Sequence, residues 1–149
     1  MFDITVQTMF DVGIYRDHLN NGIRYLGGYK NYFRGNSHVM KLFSPKQLFK
    51  HYVKEEYDII VSYLEGPSAR VVAGCDNGNT KLICWIHTEI KTKSFLGESF
   101  RSSDEAIACY SKYNKLVGVS KNICDSLSAV YNWNNSPQVI YNTIESDVI

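Results

Sequence analysis

The sequence predicts an α/β fold, a mostly parallel sheet with helices on both faces. Two observations carry this. From residue 44 to residue 142 strand-like and helix-like segments alternate, the order that builds parallel sheets. The segments 57–64, 82–87 and 116–119 are also apolar on both pleat faces, as parallel strands covered on both sides must be. With 149 residues the chain suits one domain, residues 1–149. A chain of that size buries roughly 70% of its unfolded surface.

Each element has a local reason. Residues 2–9, FDITVQTM, alternate apolar and polar and predict a strand. Gly13, Asn20 and Asn21 make the stretch from Phe10 to Gly22 mostly loop. GIRYLG, 22–27, predicts a second strand, ended by Gly27-Gly28. Ser44-Pro45 starts a helix, with Ser44 as cap and Pro45 in the first turn. Leu48, Phe49, Tyr52 and Val53 then recur at helical spacing. YDIIVSYL, 57–64, is a strand, and Gly66-Pro67-Ser68 opens a helix through about Gly74. DNGN at 76–79 turns the chain into the strand KLICWIH, 81–87. Ser102-Ser103-Asp104-Glu105 caps a helix over 104–112, with Ala106, Ile107, Ala108 and Tyr110 facing inward or nearly so. KLVGVS, 115–120, is a short strand whose Ser120 caps a helix with Ile123, Leu127 and Val130 on one face. QVIYN, 138–142, is the last strand.

Composition excludes several classes. A net charge of +1 gives no bulk field for nucleic acid. No apolar run approaches the roughly 18 residues of a membrane-spanning helix. The start, MFDITVQTMF, has neither the basic region nor the apolar run of a signal peptide, so a cytoplasmic protein is expected. Cys75, Cys84, Cys109 and Cys124 contain no CxxC, so no metal site is expected, and they read as small buried thiols. The chain has neither G-x-G-x-x-G nor G-x-x-x-x-G-K-[ST], so no phosphate loop and no cofactor is named. One tract is unusual. Between His18 and Lys54 there is no Asp or Glu, while Arg24, Lys30, Arg34, Lys41, Lys46, Lys50 and Lys54 interleave with aromatics. Residues 24–54 suit a nucleic-acid footprint, an anionic membrane surface, or a plain solvated face over core aromatics.

Ligands of open parallel sheets lie outside the carboxyl ends of the strands. Glu65, His87, Ser120 and Asn142 all stand there, each just past a strand. His87 reads either as a capped strand end or as a polar group facing a ligand, since imidazole donates, accepts or carries a proton near neutral pH. Glu65, before Gly66, either accepts from a ligand hydroxyl or from an open backbone amide of the following helix. Ser120 is a helix cap first and a substrate contact second. Arg70 reads as a solvated or ion-paired arginine. Tyr15 and Arg16 either face a ligand or belong to a plain loop. Thr88 to Lys91 are read as a mobile loop.

The segments TVQTMFDVGIYRDHL, YDIIVSYLEGPSARVVAG, KLICWIHTEI, KLVGVSKNICDSL and VIYNTIE, in this order, resemble the amino-terminal Rossmann-like domain of GT-B-fold glycosyltransferases. The likeness is to retaining enzymes that build bacterial capsular or cell-wall polysaccharide, and it covers nearly the whole chain. The resemblance implies an acceptor-binding half that faces a separate nucleotide-sugar-binding domain. It implies a catalytic-cleft position for His87, substrate contacts for Glu65, Gly66, Tyr15, Arg16, Ser120 and Asn142, and no metal. The chain departs from the pattern at both ends. Its first strand resembles the family's second, so the domain is expected to lack the first strand with its glycine-rich loop, leaving sheet edges that must pair or be covered. No donor domain follows, and no two glutamates here have seven residues between them, as that domain's pair would.

Two functions follow as expectations. The first is the acceptor side of a glycosyltransferase that moves sugar from a nucleotide sugar to a polysaccharide or lipid-linked acceptor. It would be inactive alone, peripheral at the inner membrane face through residues 24–54, and partnered by a donor-domain chain or a second copy, with no nucleic acid. The second is a non-catalytic doubly wound module that docks on another chain and buries its orphaned sheet edges there. A flavodoxin-like or other nucleotide-binding domain ranks third.

Overall fold

The computed structural model describes residues 2–13, 16–19, 21–31, 35–92, 99–130 and 136–143. The elements in chain order are β1 (Ile4–Gln7), a short 3-10 turn (Arg16–His18), β2 (Ile23–Leu26), α1 (Asn36–Met40), α2 (Pro45–Tyr52), β3 (Ile59–Ser62), α3 (Pro67–Val72), β4 (Lys81–Ile86), α4 (Ser103–Tyr110), β5 (Lys115–Gly118), α5 (Lys121–Val130) and β6 (Gln138–Val139). The α/β class with parallel strands is therefore the class of the protein. Its strands form two sheets. β1 pairs with β2, and β3, β4, β5 and β6 pair in that spatial order, every ladder parallel.

The capping signals act as their chemistry requires. The Ser44 hydroxyl accepts from the Gln47 amide at 3.2 Å, and the Gln47 side chain accepts from the Ser44 amide at 2.8 Å. Ser102 caps α4 by accepting from the Glu105 amide at 3.1 Å. Burial along α4 follows the helical period: Ala106, Cys109 and Tyr110 are buried and Ala108 faces out. The α1 helix was not anticipated. A glycine-started turn of five residues, NSHVM, carries too short a period to be read from sequence.

Side-chain alternation divides the four-stranded sheet into two unlike faces. Leu82, Cys84 and Ile86 are buried against residues of α3, α4 and α5, including Ala69, Ala106 and Leu127. The opposite face carries Ile59, Val61 and Tyr63, exposed at 51%, 46% and 58%, beside half-buried Ile83 and Trp85. The one-sidedness has a topological cause. The chain steps from β3 to β6 always in one direction, and right-handed crossovers then place each connecting helix on the same face. YDIIVSYL is thus not covered on both pleat faces. It is an edge strand with one partner, β4.

Arg70 decides how the helices are tied together. It is ion-paired as one reading had it, yet fully buried. Its Nε and Nη2 donate to the Glu105 carboxylate, each at 3.0 Å, and its Nη1 and Nη2 donate to the carbonyls of Met40 and Phe43, each at 2.8 Å. Arg101 donates to the carbonyls between them, Lys41 and Leu42. Carbonyls left open at the end of α1 are thereby satisfied from α3 and from the start of α4.

The cysteines are all free and buried. Burial pushes the Cys84 thiol far up and, with Glu105 adding to it, the Cys109 thiol up to about 11. Among the described residues no group of His, Cys, Asp and Glu is arranged to hold a metal ion. No described helix is long and apolar enough to cross a membrane. The basic tract is partly neutralised from outside itself. Arg24 pairs with Glu55, and Lys46 with Asp76 at 2.7 Å.

Candidate functional site

The carboxyl ends of β3 and β4 meet at a small polar cluster. Register pairs Ser62 with Cys84, which brings the residues that follow each strand alongside one another. Glu65 and His87 are joined directly: Glu65 Oε2 accepts from the His87 amide at 2.9 Å. Glu65 does take up a backbone amide, but from the neighbouring strand end and not from the helix that follows it. Its second oxygen makes no printed bond to a described residue and points to what a bound hydroxyl would offer.

Tyr63, Trp85 and His87 form an aromatic row on the open face. The Tyr63 and Trp85 rings are 5.6 Å apart, and the Tyr63 and His87 rings 4.8 Å. The alternation of the strand explains the row: residues 83, 85 and 87 share a face, as do 61 and 63. Within it, Trp85 Nε1 and His87 Nε2 are buried with no hydrogen-bond partner. An indole N–H can only donate, and the imidazole nitrogen donates or accepts according to its tautomer. A buried unpaired polar group costs about 1–3 kcal/mol, so both nitrogens favour an incoming oxygen. Sequence reasoning missed Tyr63 and Trp85. The signal was the period-2 pattern that puts both on the face of His87.

The other expected residues divide clearly. Gly66 is the N-cap of α3 at φ 73°, ψ −125°, a conformation only glycine adopts at ease, and its amide donates to the Tyr110 hydroxyl at 3.2 Å. Its role is to let the chain turn behind Glu65. Ser120 lies next along the edge, where Val119 bonds the Ile86 carbonyl, and it caps α5 through the Ile123 amide at 3.3 Å. Asn142 is exposed beyond β6, and Arg16 is held by Asp11 and Asp17 after β1. Neither contacts the Glu65–His87 pair in any printed bond. Tyr15 lies outside the described residues. The stretch expected to be a mobile loop is pinned: Ile90 is buried, and its amide donates to the Ser126 hydroxyl at 3.2 Å.

Two hollows matter. One of about 430 Å³, lined by Thr88, Glu89, Lys91 and Thr92, opens just past His87. A larger one, about 600 Å³, lies at the amino ends of the strands, between Thr5 and Ile59. Ligands of parallel sheets bind at the carboxyl edge, and the aromatic, carboxylate and unpaired nitrogen groups gather there, so the smaller hollow belongs to the candidate site. Set against known proteins, the chain matches no protein-family model, no curated protein and no solved structure.

Proposed function

We propose that this domain binds a sugar at the carboxyl edge of β3 and β4, and that it serves as the acceptor side of a glycosyltransferase. The observation that carries the reading is the cluster of Glu65, His87, Trp85 and Tyr63, with two buried, unpaired nitrogens. Sugars present what this cluster lacks. Their hydroxyls accept from an indole N–H and donate to a carboxylate, and their apolar ring faces pack on aromatic rings. The resemblance of the ordered segments to GT-B amino-terminal domains points to the same edge.

In this reading Glu65 acts twice. Oε2 holds the His87 backbone, and Oε1 accepts from a sugar hydroxyl. His87 presents its ring to the transferred sugar, and no proton transfer is assigned to it. Transfer itself needs a nucleotide-sugar-binding domain, so the chain is expected to bind and not to turn over alone. The acceptor is a polysaccharide or lipid-linked saccharide. A cytoplasmic place at the inner membrane face, reached through basic residues in 24–54, belongs to the same proposal.

Isothermal titration with a panel of free mono- and disaccharides tests it. At least one should bind saturably to the wild-type chain. His87→Ala and Glu65→Gln should each weaken that saccharide by roughly tenfold, the equivalent of about one lost charged or buried hydrogen bond. Binding that survives both substitutions unchanged, or its absence across the panel, would overturn the proposal.

A further inference from the structure

The amino ends of β1, β2, β3 and β4 gather around one cavity of about 600 Å³ whose lining includes Asp3, Thr5, Arg24, Asp58, Ile59 and Thr80. On one side stands β1, whose only partner strand is β2. On the other stands β3, whose only partner is β4. Arg24 reaches from β2 past the Thr5 hydroxyl to bond Glu55 and the Tyr57 hydroxyl, so side chains alone bridge from the two-stranded sheet to the start of β3. Each flanking strand has unpaired backbone groups along its free edge. Next to the slot lies the open sheet face with Ile59, Val61, Tyr63, Ile83 and Trp85, while α3, α4 and α5 occupy the other face.

We infer that the slot and the open face together receive a strand–helix segment of another polypeptide. The strand enters between β1 and β3 and runs parallel to both, in the sense of every ladder in the fold. Its backbone then pairs on two sides, which is strand addition with both edges satisfied. The helix that follows it packs on the open face, because the other face is filled.

The charge at the slot fixes the chemistry of the entering end. Asp3, Glu55, Glu56 and Asp58 line the mouth, and the lining cation, Arg24, is paired with Glu55. A parallel strand starts at that mouth, so its first residues are basic. The residues that follow are β-branched and apolar, to match Ile59 and Val61. The helix presents an apolar stripe toward Tyr63 and Trp85. This inference rests on the strand edges and not on Glu65 or His87, so it stands or falls apart from saccharide binding.

The probe is a labelled synthetic peptide: a lysine pair, a strand-length run of alternating valine and threonine, then an amphipathic leucine–glutamate–lysine helix. Fluorescence anisotropy with the whole 149-residue chain should show saturable one-to-one binding. Hydrogen–deuterium exchange should show new protection of the amides of residues 4–7 and 59–62. Val61→Lys and Ile59→Lys sit at exposed positions that tolerate lysine, and each should weaken binding roughly tenfold or more, since an edge lysine opposes pairing. Thermal melts check that both variants fold. Unprotected β3 amides, undiminished binding by the folded variants, or light scattering that shows β3 buried in a dimer of this chain would each overturn the inference.

Discussion

Arg70→Met should be the most destabilising substitution that leaves the carboxyl-edge cluster untouched. Methionine keeps most of the buried stem and deletes the guanidinium. The carbonyls of Met40 and Phe43 lose their Arg70 donors. An unsatisfied buried acceptor costs about 1–3 kcal/mol. Glu105 loses its partner as well, but its side chain is 17% exposed and still accepts from the Arg101 amide at 2.7 Å, so water and that amide absorb part of the loss. The sum is about 3–5 kcal/mol, the usual range for breaking a buried ion pair by removing one partner. Against a typical total of about 5–15 kcal/mol this is severe. At roughly 2–4 °C per kcal/mol for a chain of this size, Tm should fall by roughly 6–20 °C. Urea unfolding followed by circular dichroism reads the change directly, with an unchanged m value showing that the same surface is exposed. A loss under about 1 kcal/mol would refute the reasoning, because it would mean that the loop after α1 finds its donors elsewhere.

Further outcomes follow from the same geometry. Burial works to raise the Glu105 carboxyl, but the Arg70 hydrogen bond, the Arg101 amide and the attraction of both guanidinium groups outweigh it and hold the carboxyl below its ordinary 4.5. Its stabilising contribution is then full above that value and is lost as pH falls through the lower, folded-state value. Stability measured from pH 6 to pH 3 should drop less steeply in Glu105→Gln than in the wild type. Gly66→Ala forces a side chain into φ 73° and brings its Cβ to 2.9 Å from the Ser99 hydroxyl, and it should cost about 1–3 kcal/mol in urea unfolding. Gly118→Ala places a methyl 2.7 Å from Cys124 Sγ and 3.1 Å from Ile123, and overpacking there should cost a similar amount, about 1–3 kcal/mol. Cys84 should resist iodoacetamide at neutral pH until the chain unfolds, as mass spectrometry of the alkylated peptides would show.

The sequence carried the fold well where chemistry is local. Ser44-Pro45 and Ser102 announced their helices through capping, and the apolar runs at 82–87 and 116–119 announced strands through pattern alone. What it hid was arrangement. YDIIVSYL looks like a strand buried on both faces, but its apolar character does not say how many neighbours it has, and the structure leaves it at an edge. Arg70 looks like a surface residue because its partners, Glu105 and two carbonyls near residues 40–43, lie about 30 positions away. The pairing of Glu65 with His87 was legible only as a shared edge. Register and the αL turn at Gly66 bring them within one hydrogen bond. Tyr63 and Trp85 were legible in principle, through strand alternation, once the face of His87 was known to be open.

The central claim is that the carboxyl-edge cluster meets a sugar, and the Trp85 indole is its natural reporter. In a proton–nitrogen correlation spectrum, the indole N–H of Trp85, assigned by substitution to Phe, should shift as a saccharide is added. The same addition should leave the amides of α2 unmoved. The shift should vanish in Glu65→Gln and His87→Ala chains that keep the wild-type spectrum elsewhere. An indole resonance that stays fixed through the whole saccharide panel would contradict the account at its centre.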